Sequence, residues 1–545
     1  MIMIFPFWHT SQMAICSDWA FHSARVQQIY DNIKAGHWLT FIGTTQFEQV
    51  GSANFLFYPT LFLYPWALLK FVFAPVQAYF VYVLLMYWTT VSIAYWSMYQ
   101  FSKSKLRSLI FALLYLIVPY HLYLTLDNYV LGEALGFMFL PLVVLGTYQL
   151  LVKNQWKVLA VGMALVMYSH VVSALISCEV IAALAIVKFT IDRRIDWDAV
   201  INFIKAGCIS LLLVLCELVP FLTDYNGINQ PAPGFNLSVG LGQVIEQAAN
   251  NQPTNNGGIG LVLLIVALFG WRVCQTKVDW TVYAFGVTIT VMTTSFIPWH
   301  YIAQTPLATI QFPYRYNCYA ALFLSIIGSK LIAQLIEQHH WSQTRSAGLL
   351  ALCSLFLFFG TSQIDIERNQ NIHGDVQFLT QKKSKLYDTL HHGSDRPMIV
   401  TNQTYNRQFD YGIIYGETDY WPTAAMPHAL KTLNWNLKKS SFKEHGVQLL
   451  YVKPNELTYE INARNQTKTQ LPTLAYRHSQ VRVHQGRWKQ AQSKNGLINI
   501  ETVPHSRTVV SVRYQPSNLY WIAMLISGCT WIALIGTSIF EHRRI

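Results

Sequence analysis

The sequence predicts an α-helical, polytopic membrane protein with one outer domain of mixed or β-rich structure placed before its last helix. Three observations carry this. The chain has 545 residues, of which 52% are hydrophobic and only 12% charged, where soluble domains carry roughly 25% charge. Its mean hydropathy is +0.27. Its apolar runs approach the ~20 residues that cross a bilayer's hydrocarbon. No single core hides so much apolar surface, and water does not solvate it. Aromatic residues make up 14%, and many Trp and Tyr stand near segment ends, as interfacial anchors do.

Apolar runs are read at 55–73, 76–99, 108–125, 132–152, 158–188, 200–222, 259–275, 281–297, 319–338, 346–361 and 519–540. With re-entrant pieces counted, this gives about 11–12 transmembrane or re-entrant helices. Basic residues set the orientation, because cytoplasmic loops collect Lys and Arg. Lys103, Lys105 and Arg107 mark that side, as do Lys153, Lys157, Lys188, Arg193, Arg194, Arg272, Lys277, Arg345, Arg543 and Arg544. The net charge of +12 is assigned to this bias, so the bilayer is a predicted partner and nucleic acid is not. The loops between, with Asp127 and Glu133, are predicted to face outside, and the C-terminus to be cytoplasmic.

Two places depart from simple alternation. Basic clusters at both ends of 158–188 require two short helices meeting near Ser169 and His170 on the outer side. Residues 1–17 are short and polar, with His9, Ser11 and Gln12. That leads to the expectation of a first helix upstream of this start; with Asp18 outside, either 55–73 is a partial or re-entrant helix or the topology differs there. No cleavable leader is read in the sequence. The domains are therefore 1–361, a membrane domain with a first outer loop over 18–54; 362–518, an extracytoplasmic domain; and 519–545, a last helix with a basic tail. Within the outer domain, Leu449–Val452 and Arg507–Tyr514 have the β-branched content of strands, and 376–390 is read as a candidate helix. The eight cysteines avoid 362–518, so neither a disulfide framework nor a cysteine zinc site is predicted there.

Five polar stretches carry the candidate chemistry. Asp18, His22 and Arg25 are spaced four and three apart, which puts them on one face of a helix. An acid, an imidazole and a guanidinium at a membrane surface suit a phosphate-bearing substrate; an interfacial helix with its polar side in water has the same pattern. Glu133 precedes a strongly apolar run, where it serves either chemistry or the helix N-terminus. His170 interrupts an apolar stretch and either binds or satisfies a helix break. Arg315 is a fixed cation on the outer side, for phosphate capture or for snorkelling to headgroups. Glu417, Asp419 and Tyr420 join acids to an aromatic side chain, as acceptor recognition or a domain–membrane contact would.

At these residues the chain resembles the bacterial membrane proteins called 6-pyruvoyl-tetrahydropterin synthase-related. The carrying motifs are Asp18-x-x-Phe21-His22-x-x-Arg25, Phe57-Tyr58-Pro59, Gly132-Glu133-Ala134-Leu135 with Pro141-Leu142, Ser169-His170, Gln311-Phe312-Pro313-Tyr314-Arg315 and Tyr420-Trp421-Pro422. The pterin enzyme's zinc-ligand set has no counterpart here. That family in turn is similar to GT-C glycosyltransferases, including those that decorate lipoteichoic acid. The resemblance implies a GT-C-like fold in the bacterial cell membrane. It implies transfer of a sugar from a polyprenyl-phosphate carrier to an envelope polymer or lipid acceptor on the outer face. It places Asp18 at the acidic position of the first outer loop, as catalytic residue with Glu133. His22, Arg25, His170 and Arg315 then meet the lipid phosphate, and Glu417, Asp419 and Tyr420 the acceptor. No cofactor is predicted; a divalent metal has no compact ligand motif to support it. The rival readings are a transporter or flippase of a lipid-linked precursor, without the paired repeats that transporters often show, and a non-catalytic scaffold for envelope assembly.

Overall fold

The computed structural model describes residues 4–229, 238–253, 258–371, 398–410, 418–436, 440–465 and 467–542. A helical bundle is joined at one end to a sheet-rich region. Among the described residues, six helices are long and apolar enough to cross a membrane. They lie in α3 (Pro75–Ser102), α5 (Leu131–Lys153), α7 (Val171–Asp192), α13 (Asn317–Gln338), α14 (Gln343–Asn371) and α15 (Asn518–His542). Two bent pairs raise the number to as many as eight. One is α4 (Lys105–Leu116), followed at 52° by Pro119–Asp127; the other is α8 (Trp197–Leu213), followed at 77° by α9 (Leu215–Asp224).

The remaining apolar runs fall short for local reasons. The run at 55–73 is broken into Asn54–Phe57, Leu61–Leu63 and Tyr64–Leu69, since Pro59 and Pro65 each remove a backbone donor. The run at 158–188 is α6 (Lys157–Met167) and α7, parted at Ser169 and His170 as the charge pattern required. The run at 259–275 is α11 (Gly260–Phe269) with one further turn, and 281–297 is α12 (Lys277–Met292). Residues 5–10 form α1, a single short helix.

Small residues let the helices close on one another, as they do where lipid supplies no hydrophobic drive. A Cβ on Gly146 of α5 would stand 2.3 Å from the backbone nitrogen of Leu159 in α6.

The sheet-rich region carries β3 (Val447–Lys453), β4 (Glu456–Asn462), β5 (Lys468–Leu474), β6 (Ser479–Val483), β7 (Lys489–Gln490), β8 (Gln492–Lys494), β9 (Leu497–Glu501) and β10 (Arg507–Tyr514), which form a five-stranded antiparallel sheet in the order β3-β4-β10-β6-β7 and a three-stranded one in the order β5-β9-β8. The predicted strands are β3 (Val447–Lys453) and β10 (Arg507–Tyr514). On β4 (Glu456–Asn462), Leu457, Tyr459 and Ile461 are fully buried and Thr458 and Glu460 between them are buried as well, so both faces of the strand are covered. The core beneath includes Phe41, Val50 and Phe57 from the first loop beside Trp421, Trp435 and Leu471. The first loop therefore packs as part of the sheet region. Helix α14 runs ten residues past the expected boundary at 361, and the stretch 376–390 lies outside the described residues.

Two devices dock the sheet region on the bundle. Near the start of the chain, β1 (Gln12–Ile15) pairs antiparallel with β2 (Met398–Thr401). At the end of α9, Asp224 lies 2.8 Å from His478, and Arg477 donates to the Thr223 carbonyl at 2.9 Å.

Candidate functional site

The site is built at the sheet end of the bundle, from segments far apart in sequence. Ser17 takes a left-handed φ of 48° and turns the chain from β1 into α2 (Trp19–Lys34). Asp18 is the residue before the helix, yet its carboxylate makes no capping bond. The residue is half-buried; its backbone carbonyl accepts from the His22 amide at 3.1 Å, while its carboxylate accepts no hydrogen bond among the described residues. Burial raises its proton affinity to about 6; Arg315 opposes that rise and Asp419 adds to it. A carboxyl so poised is near the affinity a general base uses at neutral pH.

One turn along the same helix face stands His22, 1% exposed, with an Nδ1 that has no partner among the described residues. Burial, then Arg25, then His170 push its proton affinity well below the usual imidazole range, so it is neutral at physiological pH.

Arg25 uses one of its guanidinium nitrogens locally, while its Nε and Nη1 have no partner among the described residues. It is fully buried, and its Nη2 donates to the carbonyls of Tyr58 at 2.8 Å and Pro59 at 2.9 Å and to the Thr60 hydroxyl at 2.7 Å. Those bonds brace the broken 55–60 segment, and the guanidinium lies 4.8 Å from the Tyr58 ring centre. Arg25 thereby holds Tyr58 in place, whose ring lies 5.5 Å from His22, 6.1 Å from His170 and 6.3 Å from Tyr420. Tyr58 is the common neighbour of the cluster. Its hydroxyl lies against the first turn of α5, where a Cβ on Gly132 would approach it to 2.1 Å. Only glycine leaves it that room.

Glu133 and Arg315 meet. The Arg315 Nε stands 3.4 Å from the Glu133 carboxylate, both side chains nearly buried. Tyr120 also donates to Glu133. Arg315 is presented by a short helical turn, Pro313–Tyr316, and its Nη1 donates to the Ile310 carbonyl at 3.0 Å. The imidazole of His170 caps α7, accepting from the Ser173 backbone N–H at 3.3 Å with the Ser173 hydroxyl 2.9 Å away. Because Nδ1 accepts a backbone N–H, the ring proton resides on Nε2. Burial and Arg315 hold His170 well below the usual range as well.

Above this cluster lies a turn over Thr418–Tyr420. The Tyr420 amide donates to Asn229 at 3.1 Å, and the Tyr476 hydroxyl donates to the Tyr420 carbonyl at 3.2 Å. Burial raises the proton affinity of Asp419. Glu417 lies outside the described residues. The structure therefore brings together Asp18, His22, Glu133, His170, Arg315, Asp419 and Tyr420 around Tyr58. Arg25 lies 4.8 Å from the same ring centre.

Three contributors carried no sequence signal of their role. Tyr58 was visible only as part of Phe57-Tyr58-Pro59, and Tyr120 sat within an apolar run. Glu217, on α9, lies in the field of Arg25; an acid in an apolar run was the signal available for it.

Among the described residues, no group of three or more His, Cys, Asp or Glu side chains is placed to hold a metal ion. The arrangement instead offers one weakly committed carboxylate, one cation already half-shared with Glu133, and two neutral imidazoles. Such a set can take a proton and face a developing anion.

No curated protein matches the chain, and neither does any solved structure. One family does match: the 6-pyruvoyl-tetrahydropterin synthase related domain, a membrane-protein domain, over residues 55–372. The match takes in Tyr58, Glu133, His170 and Arg315, and stops short of Asp18 and Asp419. It covers more than half of the chain, which belongs to the 6-pyruvoyl-tetrahydropterin synthase related family of membrane proteins.

Proposed function

We propose that the chain is a membrane glycosyltransferase of GT-C type, moving a sugar from a polyprenyl-phosphate carrier to an envelope acceptor at the outer face. The observation that carries this reading is an uncapped Asp18 with a proton affinity of about 6, set in the field of Arg315. In the proposed step the acceptor hydroxyl attacks the anomeric carbon and gives its proton to Asp18. The bond between that carbon and the phosphate oxygen breaks on the opposite side, inverting the centre. The phosphate oxygen leaves with the bonding electrons. Arg315 and the Nε2–H of His170 stabilise that charge as it develops, which is where fixed donors contribute most.

His22 and Tyr58 shape the pocket, and Glu133 fixes Arg315. Asp419, Tyr420 and Glu417 orient the acceptor. Arg25 is a positioning residue acting through Tyr58. The orientation that goes with this reading puts the sheet-rich region outside the cell and the C-terminus in the cytoplasm.

The test uses the full chain in proteoliposomes with a polyprenyl-phosphate sugar and an envelope acceptor, reading released polyprenyl phosphate. Asp18→Asn is expected to abolish release while the protein still inserts and binds the carrier lipid. Undiminished release by that variant overturns the assignment. Movement of an intact lipid-linked sugar across the bilayer, with no cleavage, replaces the reading with transport.

A further inference from the structure

At the end of the bundle opposite the sheets, α3, α4, α5, α12 and α13 leave an apolar cleft. Its position follows from α3: the Val76 amide of this helix is held by Asn402 of the sheet region, and 28 residues carry the other end about 42 Å away at 1.5 Å per residue. The cleft encloses about 450 Å³ including its open side, and Ser97, Phe101, Phe111, Leu145, Tyr148 and Leu322 are among its lining residues.

Two polar groups there are incompletely used. Thr89, Thr90, Ser92 and Ser102 of α3 each donate to the carbonyl four residues back. Ser97 does not: it is 4% exposed and its hydroxyl has no partner among the described residues. A buried hydroxyl left so is costly unless something else accepts its proton. The second group is Arg107. Its guanidinium lies 5.5 Å from the ring centre of Phe101 at the cleft mouth. Its bonds to Ser329 and to the Ile326 carbonyl are long, 3.4 and 3.3 Å, and it makes no other among the described residues. The nearby Asp279 carboxylate already accepts from Lys330, Thr276 and Gln275.

We propose that this cleft binds one glycerophospholipid of the adjacent leaflet, with its phosphate on Arg107, an ester carbonyl on Ser97 and one acyl chain running past Phe111 and Leu145. The order of groups selects the ligand. Ser97 and Phe101 are i and i+4 neighbours on one helix face, about 6 Å apart, and Phe101 touches Arg107. The ligand therefore needs an anion, then a hydrogen-bond acceptor roughly one helical turn deeper, then an apolar tail. Inorganic phosphate supplies only the anion. A polyprenyl phosphate supplies the anion and the tail but no acceptor for Ser97. A glycerophospholipid supplies all three. Lys103, Lys105 and Lys277 near the same end favour a net-negative headgroup.

The experiment places the full chain in nanodiscs containing a phosphatidylglycerol with a photoactivatable diazirine midway along one acyl chain, and maps the labelled residues. Label is expected at Phe111, Leu145 and Leu322. It is expected to fall at least ten-fold at Phe111 and Leu322 in Leu145→Trp, which fills the cleft, and several-fold in Arg107→Gln and Ser97→Ala. Label at the exposed Leu85 and Trp88 of α3 should stay unchanged, since bulk lipid reaches those. Ser97→Ala removes a single oxygen and keeps the test decisive if the tryptophan variant misfolds. Label confined to Leu85 and Trp88, equal cleft label in all variants, or preferential labelling by a diazirine-bearing polyprenyl phosphate overturns the proposal. Sugar transfer at the sheet end does not enter the measurement.

Discussion

Asp18 and Asp279 are two acids at opposite ends of one bundle, and they are treated in opposite ways. Asp279 accepts from Lys330 at 2.8 Å, from the Thr276 hydroxyl and amide at 2.9 and 3.0 Å, and from the Gln275 amide at 3.1 Å. It closes a reciprocal cap at the start of α12. Every group there has an answer, and the cluster holds two helix ends together. Asp18 also stands at a helix start, as the residue before α2 where Asp279 is the third residue of α12, and it makes no capping bond. Its neighbours are another acid, a shared arginine and two neutral imidazoles. A charge whose hydrogen bonds are complete belongs to the architecture. One left with open valence beside a second acid is held against its own preference, and such groups gather where chemistry is done.

The contrast can be broken by substitution. Asp18→Asn should lower sugar transfer by about 10²–10⁴-fold, the range a general base contributes, while Asp279→Asn should leave the transfer rate per folded molecule unchanged. Equal losses in a proteoliposome assay would erase the distinction. Next in size is Arg315→Gln. It should lose about 10²-fold or more in turnover and also destabilise the fold by about 3–5 kcal/mol, because Glu133 is left buried without its cation. The double change Glu133→Gln with Arg315→Gln should regain most of the melting temperature and none of the turnover.

Gly132→Ala should destabilise by about 1–3 kcal/mol through overpacking against Tyr58, and adding Tyr58→Phe should relieve part of it. The smallest effect sharpens the comparison by pH. Asp18 has a folded-state proton affinity of about 6, raised from the ordinary 3.8, so the folded protein holds that proton longer than the unfolded chain. Stability from this group is therefore present at low pH and lost as pH rises through about 6. Asp18→Asn should raise the melting temperature slightly at pH 8 and leave it unchanged at pH 4. Wild-type transfer should fall about ten-fold per unit below pH 6 as the base is protonated.

Much of the bundle was legible because a bilayer imposes length and charge bias directly on local sequence. The break at Ser169 and His170 followed from basic residues at both ends of one apolar run, and the partial or re-entrant alternative for 55–73 from the polarity of residues 1–17. The number of full spans fell because length alone does not see a bend: nothing periodic in 200–222 announces the 77° turn between α8 and α9. The spacing of Asp18, His22 and Arg25 gave one helix face correctly. It did not show that the Arg25 Nη2 donates to the carbonyls of Tyr58 and Pro59, because those contacts arise from a segment more than thirty residues away. The centrality of Tyr58 was hidden for the same reason. Neither did the sequence disclose that the first loop shares a core with strands more than four hundred residues later.

The short pairing of β1 with β2 has a bearing on how the protein is made. Residues 12–15 lead straight into Asp18, and their partners are residues 398–401. When the ribosome has delivered the first 360 residues, most membrane helices exist but the strand that fixes the approach to α2 has not yet been synthesised. Asp419 and Tyr420 arrive later still. The site is thus among the last features to be completed during biogenesis, after the helices that must be inserted have been handed to the lipid.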